Sequence, residues 1–196
     1  MKKGYIVLIV IAVVVLSIFF WFKGAYNGMV NMREAVSAQW SNVENQNQRR
    51  LDLIPNLVNT VKGYASHEEN TLTEVVNARA KATQMQLNID QLDEATLKKL
   101  SNVQGELSSA LSRLMAISEN YPDLKANQNF LDLQAQLEGT ENRIAVERRK
   151  FNDVARSYNA FILQFPRNLV AGMFGFTSKP YFEANAGAEN APKVEF

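Results

Sequence analysis

At 196 residues the chain has room for one domain of ordinary size plus a short appendage. Its formal net charge of +1, with 46% hydrophobic and 21% charged residues, excludes the basic excess of a nucleic-acid-binding domain. Cysteine is absent, which removes disulfides, thiol catalysis, cysteine-ligated metal and a lipid-modified N-terminal cysteine; nine Gly and five Pro are few for a turn-rich β fold and favour long helices.

The first element is an unbroken apolar run from Tyr5 to Phe22, preceded by Lys2-Lys3 and closed by Lys23. About 20 apolar residues at 1.5 Å each cross a hydrocarbon core of roughly 30 Å, so this run is long enough to span. Phe19, Phe20, Trp21 and Phe22 resemble an interfacial aromatic belt, with Tyr5 suited to the other interface. A cleaved signal peptide has a shorter core and small residues at its cleavage site. Here Lys23-Gly24-Ala25 puts a charge where a small residue is needed, so the segment is expected to remain as a signal anchor. Lys2, Lys3 and the α-amine outweigh Lys23 and Arg33 by a narrow margin, so the charge count favours the bundle on the outer, periplasmic side.

From Ala25 to about Tyr64 one stripe recurs at three-four spacing: Met29, Met32, Val36, Trp40, Val43, Asn47, Leu51, Ile54, Val58, Val61, Ala65. That is the 3.5 repeat of a helix packed along its length against others, as in a coiled coil, with a kink expected at Pro55. Gly63 predicts a left-handed helix end, and Ser66 with Glu69 a capping box for a second helix from His67 to about Gln86. Leu72, Val75, Val76 and Arg79 form its stripe. After a polar link at Asn88–Gln91, Asp93 or a neighbour caps a third helix carrying Leu97, Leu100, Gln104, Leu107, Leu111, Leu114, Ser118 and Tyr121. Pro122 pushes Tyr121 out of the helical region. A fourth helix is expected over about Ala126 to Phe165, on Phe130, Leu133, Leu137, Thr140, Ile144, Glu147/Arg148, Phe151, Val154, Tyr158, Phe161/Ile162 and Phe165, with Pro166 ending it.

Short connections make successive helices antiparallel neighbours. The expected fold is therefore all-α: an N-terminal transmembrane helix, then an elongated antiparallel up-down-up-down four-helix bundle with two long and two shorter helices. The long pair is expected to extend as a two-helix stalk at the membrane. The domains read as 1–24 anchor, 25–182 bundle and 183–196 flexible tail. The apolar stretch Leu169–Phe176 is too short to span; it packs on the bundle base, dips into the interface beside Trp21, or meets a second copy.

These residues carry a family resemblance. Tyr26-Asn27, Trp40-Ser41, the run Arg50-Leu51-Asp52-Leu53-Ile54-Pro55-Asn56-Leu57-Val58, Gly63-Tyr64-Ala65, His67-Glu68 and Ala78-Arg79 resemble the N-terminal half of the LemA family. Tyr121-Pro122-Asp123-Leu124-Lys125-Ala126-Asn127, Phe130, Leu133, Leu137, Glu141-Asn142-Arg143-Ile144, Tyr158-Asn159 and Phe165-Pro166 resemble its second half. Phe151-Asn152 departs from the Tyr-Asn frequent in the family by a hydroxyl. The resemblance implies a bacterial membrane protein with an N-terminal transmembrane helix and a four-helix bundle, and no established reaction. For some members it implies the opposite orientation, with the bundle in the cytoplasm; both orientations stay open.

No constellation for catalysis stands out. His67 is the only histidine, so neither a two-histidine zinc site nor paired di-iron ligands can be assembled, and a Ser/His/Asp arrangement has no second candidate. Glu68/Glu69 and Asp93/Glu94 are adjacent pairs that point apart and read as first-turn acids at helix N-termini. Catalytic, cofactor-binding and metal-binding residues are accordingly expected to be none, and no cofactor is implied. Polar residues on the apolar seams are more informative: Asn47 and Arg50 on the first helix, Thr140, Glu141, Glu147 and Arg148 on the last. A buried charge must pair, so Arg50 is expected to meet Glu141 or Glu147 in a register-fixing network. The functional expectation is a non-enzymatic, membrane-anchored structural or adaptor module. Its partners are the lipid bilayer through residues 5–22 and a second copy or another membrane protein, with no nucleic acid. The alternatives are a ligand- or peptide-binding module in membrane-protein quality control and, behind it, an enzyme.

Overall fold

A computed structural model describes residues 3–85 and 89–183. It is all-helical, with no strand among the described residues. Helix α1 (Lys3–Tyr64) is 62 residues long, about 90 Å at 1.5 Å per residue, and passes without a break from the apolar run into the bundle. Residues Tyr5 to Trp21 lie exposed along its N-terminal third, and burial starts with Ala25. The expected boundary between anchor and bundle is thus a change of surroundings within one rod. Pro55 sits inside α1 on its exposed side, where its missing N–H leaves the buried stripe intact.

Helix α2 (Glu69–Gln84) returns along α1, as the Arg79 side chain shows by donating to the Leu51 carbonyl at 2.9 Å. A 3-10 turn at Ile89–Gln91 leads to α3 (Glu94–Ile117), which runs antiparallel to α2 through the ion pairs Lys81–Glu106 and Glu74–Arg113. A second 3-10 turn, the one-turn helix α4 (Pro122–Lys125) and Asn127, whose side chain accepts from the Phe130 N–H, start α5 (Gln128–Leu163). Helix α5 descends beside α1: Tyr64 meets Asn127, Arg50 meets Glu141, and Gly28 lies against Phe161. After a cis Phe165–Pro166 bond comes the short helix α6 (Arg167–Phe174), closed by Gly175 in the left-handed conformation.

The core forms two clusters. The far one gathers Leu51, Ile54, Leu57, Val61, Leu72, Val75, Leu107, Leu114, Phe130 and Leu137; the near one gathers Met29, Val36, Trp40, Val43, Leu97, Leu100, Phe151, Tyr158 and Ile162. Val170 and Ala171 of α6 and Phe182 complete the near cluster. The expected two-helix stalk is therefore corrected. Two helices alone leave one side of their seam wet, and α6 with the segment after it covers that side.

Local signals resolve unevenly. Asp93 caps α3 in a capping box with Thr96, and Tyr121 before Pro122 lies outside the helical region, as the sequence predicts. The predicted corner over Gly63–Glu69 forms, with α1 ending at Tyr64 and α2 starting at Glu69, but the left-handed cap at Gly63 and the box at Ser66/Glu69 do not. Helix α1 runs through Gly63, and Glu68 stands at the start of α2 without a capping bond because its carboxylate accepts from the Tyr121 hydroxyl at 3.1 Å. Val76 is exposed, and Ala78 and Ala82 carry the α2 stripe instead. Helix α2 ends at Gln84 rather than Gln86, and α5 is shorter at both ends than predicted. Asn88 and, from 184 onward, the predicted flexible tail lie outside the described residues.

The hydrogen bond from the Thr96 backbone, first among several from that residue, holds the Asp93 carboxyl below its usual range. A carboxylate depressed in the folded state adds stability that is present above its unfolded value and is lost as pH falls through the lowered one. Protection factors in the first turn of α3, exchange rates corrected for their intrinsic pH dependence, should thus hold at neutral pH and fall only on acidification below the ordinary aspartate range. At Gly28 an added Cβ would stand 2.8 Å from the Phe161 ring. Gly28→Ala should be near neutral, because the gain of about 1 kcal/mol in helix propensity offsets a small ring shift. Gly28→Leu should cost about 2 kcal/mol through overpacking. Thermal unfolding followed by circular dichroism separates the two.

Candidate functional site

Between the two apolar clusters lies a polar layer, and its centre is Arg50. The guanidinium is 1% exposed. Its Nη1 donates to Glu141 Oε2 at 2.5 Å and to Ser108 Oγ at 3.0 Å, and its Nη2 donates to Gln104 Oε1. One side chain on α1 is thereby held by two on α3 and one on α5. Three helices can supply these acceptors together only in one axial register, since a shift of one turn would move every acceptor by about 5.4 Å; the Arg50 Nε stays buried without a partner. The expected Arg50–Glu141 pair is present. Glu147 lies elsewhere, accepting from Gln39 at 2.7 Å and from Lys150 at 2.8 Å, bonds that hold its carboxyl below the usual range, Lys150 first. Thr140 satisfies itself on the Gln136 carbonyl of its own helix and does not join the network.

Arg148 approaches the same layer from α5. Burial, followed by repulsion from Arg50, lowers its pKa, with Glu141 opposing. Its guanidinium lies over the Phe182 ring, 5.0 Å from the centroid, an arrangement that gives a desolvated cation a π-face in place of water. Phe182 in turn stacks on Trp40 and meets Phe151 edge-on.

Residues 176–182 run as an extended strap up the face of α5, opposite to its direction. Asn159 Oδ1 accepts from the Lys179 N–H and its Nδ2 donates to the Lys179 carbonyl, both at 2.8 Å; Asn152 treats the two backbone groups of Phe182 alike, also at 2.8 Å. The match is geometric. Seven helical residues rise about 10.5 Å, and three extended residues span about 10 Å. The strap's buried backbone is thereby paired as in a sheet, without a strand partner. The Lys179 ammonium reaches the Ile89 carbonyl at 2.9 Å, tying the strap to the α2–α3 connection. Sequence reasoning did not find this clamp. The signal was present as two aromatic-Asn pairs seven residues apart, Phe151-Asn152 and Tyr158-Asn159, in which the aromatic enters the core and the amide faces the strap.

An open cleft of about 690 Å³ lies beside the polar layer, lined by Trp40, Glu44, Asn47, Gln48, Met85 and Gln104 among others. Burial raises the Glu44 carboxyl above its usual value, opposed by a hydrogen bond from Trp40. Asn47 Oδ1 is buried without a hydrogen-bond partner. His67 is exposed in the turn between α1 and α2, just before the helix that was expected to contain it. Among the described residues no group of three or more His, Asp or Glu side chains gathers as a metal site.

A long helix pair with a shorter hairpin, carried on one helix apolar enough to cross a bilayer, defines a membrane-associated helical-bundle protein. The sequence profile of the LemA family matches residues 39–196, and the chain belongs to that family. It is 31% identical to magnetosome protein MamQ of Magnetospirillum gryphiswaldense over 80% of this chain, and 32% identical to magnetosome protein MamQ 2 of Paramagnetospirillum magneticum over 81%. The chain spans 64% of the length of each of those relatives. Protein LemA of Metamycoplasma hominis is 24% identical over 85% of this chain and 73% of its own length.

Proposed function

We propose that the chain is a non-enzymatic structural or adaptor module that holds a rigid helical rod at the bilayer and associates with copies of itself or another membrane protein. The observation that carries this reading is the unbroken α1. A helix that leaves the lipid and continues as the spine of the bundle passes any tilt or displacement of the anchor directly to the far end, with no linker to absorb it. Polar groups in the bundle serve the same end. Arg50, Gln104 and Glu141 hold the helices in register, which is a structural use of charge. The relatives are called magnetosome proteins, after a cellular structure rather than a reaction, and this accords with a structural role here. The test is crosslinking of the full chain in its native membrane at native abundance. Covalent dimers and larger species that fall on dilution into excess lipid support self-association, and a chain that stays monomeric under the same treatment sinks it.

A second reading, a ligand- or peptide-binding module, rests on the cleft at Asn47. It predicts that substitution of exposed Gln48 alters binding of a peptide library without altering stability.

A further inference from the structure

The end of the bundle nearest the apolar run carries an unusual surface. Leu163, Phe165, Leu169, Met173 and Phe174 are exposed, Phe165 at 80% and Met173 at 73%. Soluble surfaces rarely gather so many large apolar side chains in one place without an occupant. Helix α6 is amphipathic on its own scale. Val170 and Ala171 enter the near cluster, while Leu169 and Met173, one turn apart, point the other way. The Phe174 ring fixes the level of α6 on α1, packing edge-on against Phe22 at 5.7 Å and Tyr26 at 4.9 Å. Those two residues are the last of the apolar run and the turn beyond it. The charge pattern agrees: no Asp or Glu occurs before Glu34 or between Val154 and Phe182, whereas Lys23, Arg33 and Arg167 all belong to this end. Arg167 lies over the Phe161 ring, 4.1 Å from its centroid.

We infer that α6 is a second, interfacial membrane contact, its Leu169–Met173–Phe174 face resting in the headgroup and upper acyl region of the same leaflet from which α1 emerges. An anchor of one helix leaves the rod free to tilt and spin about it. A second apolar contact displaced to one side of α1 fixes both, and surroundings poor in acids with Lys23, Arg33 and Arg167 nearby suit anionic headgroups. A second copy of the chain is the competing occupant. Lipid is favoured because the face is continuous with the belt Phe19–Phe22, where α1 leaves the hydrocarbon. The inference rests on residues 5–22 being embedded in the bilayer.

The native chain has no cysteine, so a single introduced one accepts an environment-sensitive dye at a chosen place. Full-length M173C, V13C and V76C are labelled and reconstituted in equimolar phosphatidylcholine and phosphatidylglycerol vesicles. Quenching by a nitroxide on the lipid is then compared with quenching by iodide in the water. Lipid quenching at position 173 should exceed that at the far-end position 76 by about threefold, as for a helix immersed roughly 5–10 Å. Iodide should act mainly at 76. Position 173 open to iodide while position 13 is quenched by lipid overturns the inference and leaves the anchor standing. Position 173 shielded from both quenchers overturns it in favour of a contact between copies. Position 13 open to iodide removes the anchor, and the inference with it.

Discussion

Glu141→Ala is expected to cost about 2 kcal/mol, although half of the glutamate side chain is in water. An exposed ion pair ordinarily contributes 1 kcal/mol or less. The larger figure follows from the partner: Arg50 is buried and, without Glu141, keeps only the neutral oxygens of Gln104 and Ser108. Stranding a fully buried charge costs roughly 3–5 kcal/mol, and hydration of the carboxylate's outer side reduces that. For a chain of this length the midpoint should fall by about 4–8 °C. Arg50→Met should do less harm, because the freed Glu141 turns to solvent and only Gln104 is left unpaired in the core. The double variant should be no worse than Arg50→Met alone. Guanidinium unfolding of the detergent-solubilised chain, followed by helical circular dichroism, reads all three. A Glu141→Ala value within 0.5 kcal/mol of the parent, about the spread of an ordinary surface substitution, would discard the buried-charge argument.

The strap should respond to Asn159→Ala as a local event. That substitution strands the buried N–H and carbonyl of Lys179 and removes the bond to the Tyr181 hydroxyl. Each unpaired buried group costs about 1–3 kcal/mol. Since the strap can escape by detaching, the opening free energy of residues 176–182 should drop by about 3 kcal/mol, or roughly a hundredfold in open population. Chymotrypsin should then cut after Tyr181 and Phe182 at a rate raised by that order, while cleavage within α2 and α3 stays as in the parent. Equal rates in parent and variant would mean that Asn152 and the packing of Phe182 on Trp40 and Phe151 hold the strap without Asn159.

The two experiments probe different kinds of legibility. Arg50 announced itself in the sequence because a charge on an apolar three-four stripe has to be paired, and the choice of partner narrowed to two glutamates on the returning helix. Structure selected Glu141 and added Gln104, already on the third helix's predicted stripe, and Ser108; the periodicity placed Gln104 on the buried face but did not say which group it would meet. The clamp was less visible. Asn152 and Asn159 each stand next to an aromatic of the stripe, and nothing local says that their amides grip a segment some twenty to thirty residues later in the chain. The break predicted at Gly63–Glu69 is present, and the failure of its caps at Gly63 and Ser66 has the same origin. Both residues are competent caps, but a distant Tyr121 claims Glu68, and burial of Ala65 sets where the chain turns.

What the sequence by itself determined is the set of rods: an apolar run of span length, stripes at three-four spacing, and prolines or caps that end them, all of which arise between residues close along the chain. What only the tertiary structure decided is how the ends are finished. It showed that the anchor and the first bundle helix are one piece, and that α6 and the strap close the near end. It also showed that one guanidinium locks three helices at a single level. Those outcomes depend on contacts between residues tens of positions apart, and a periodic pattern carries no information about which distant group arrives to fill an open side.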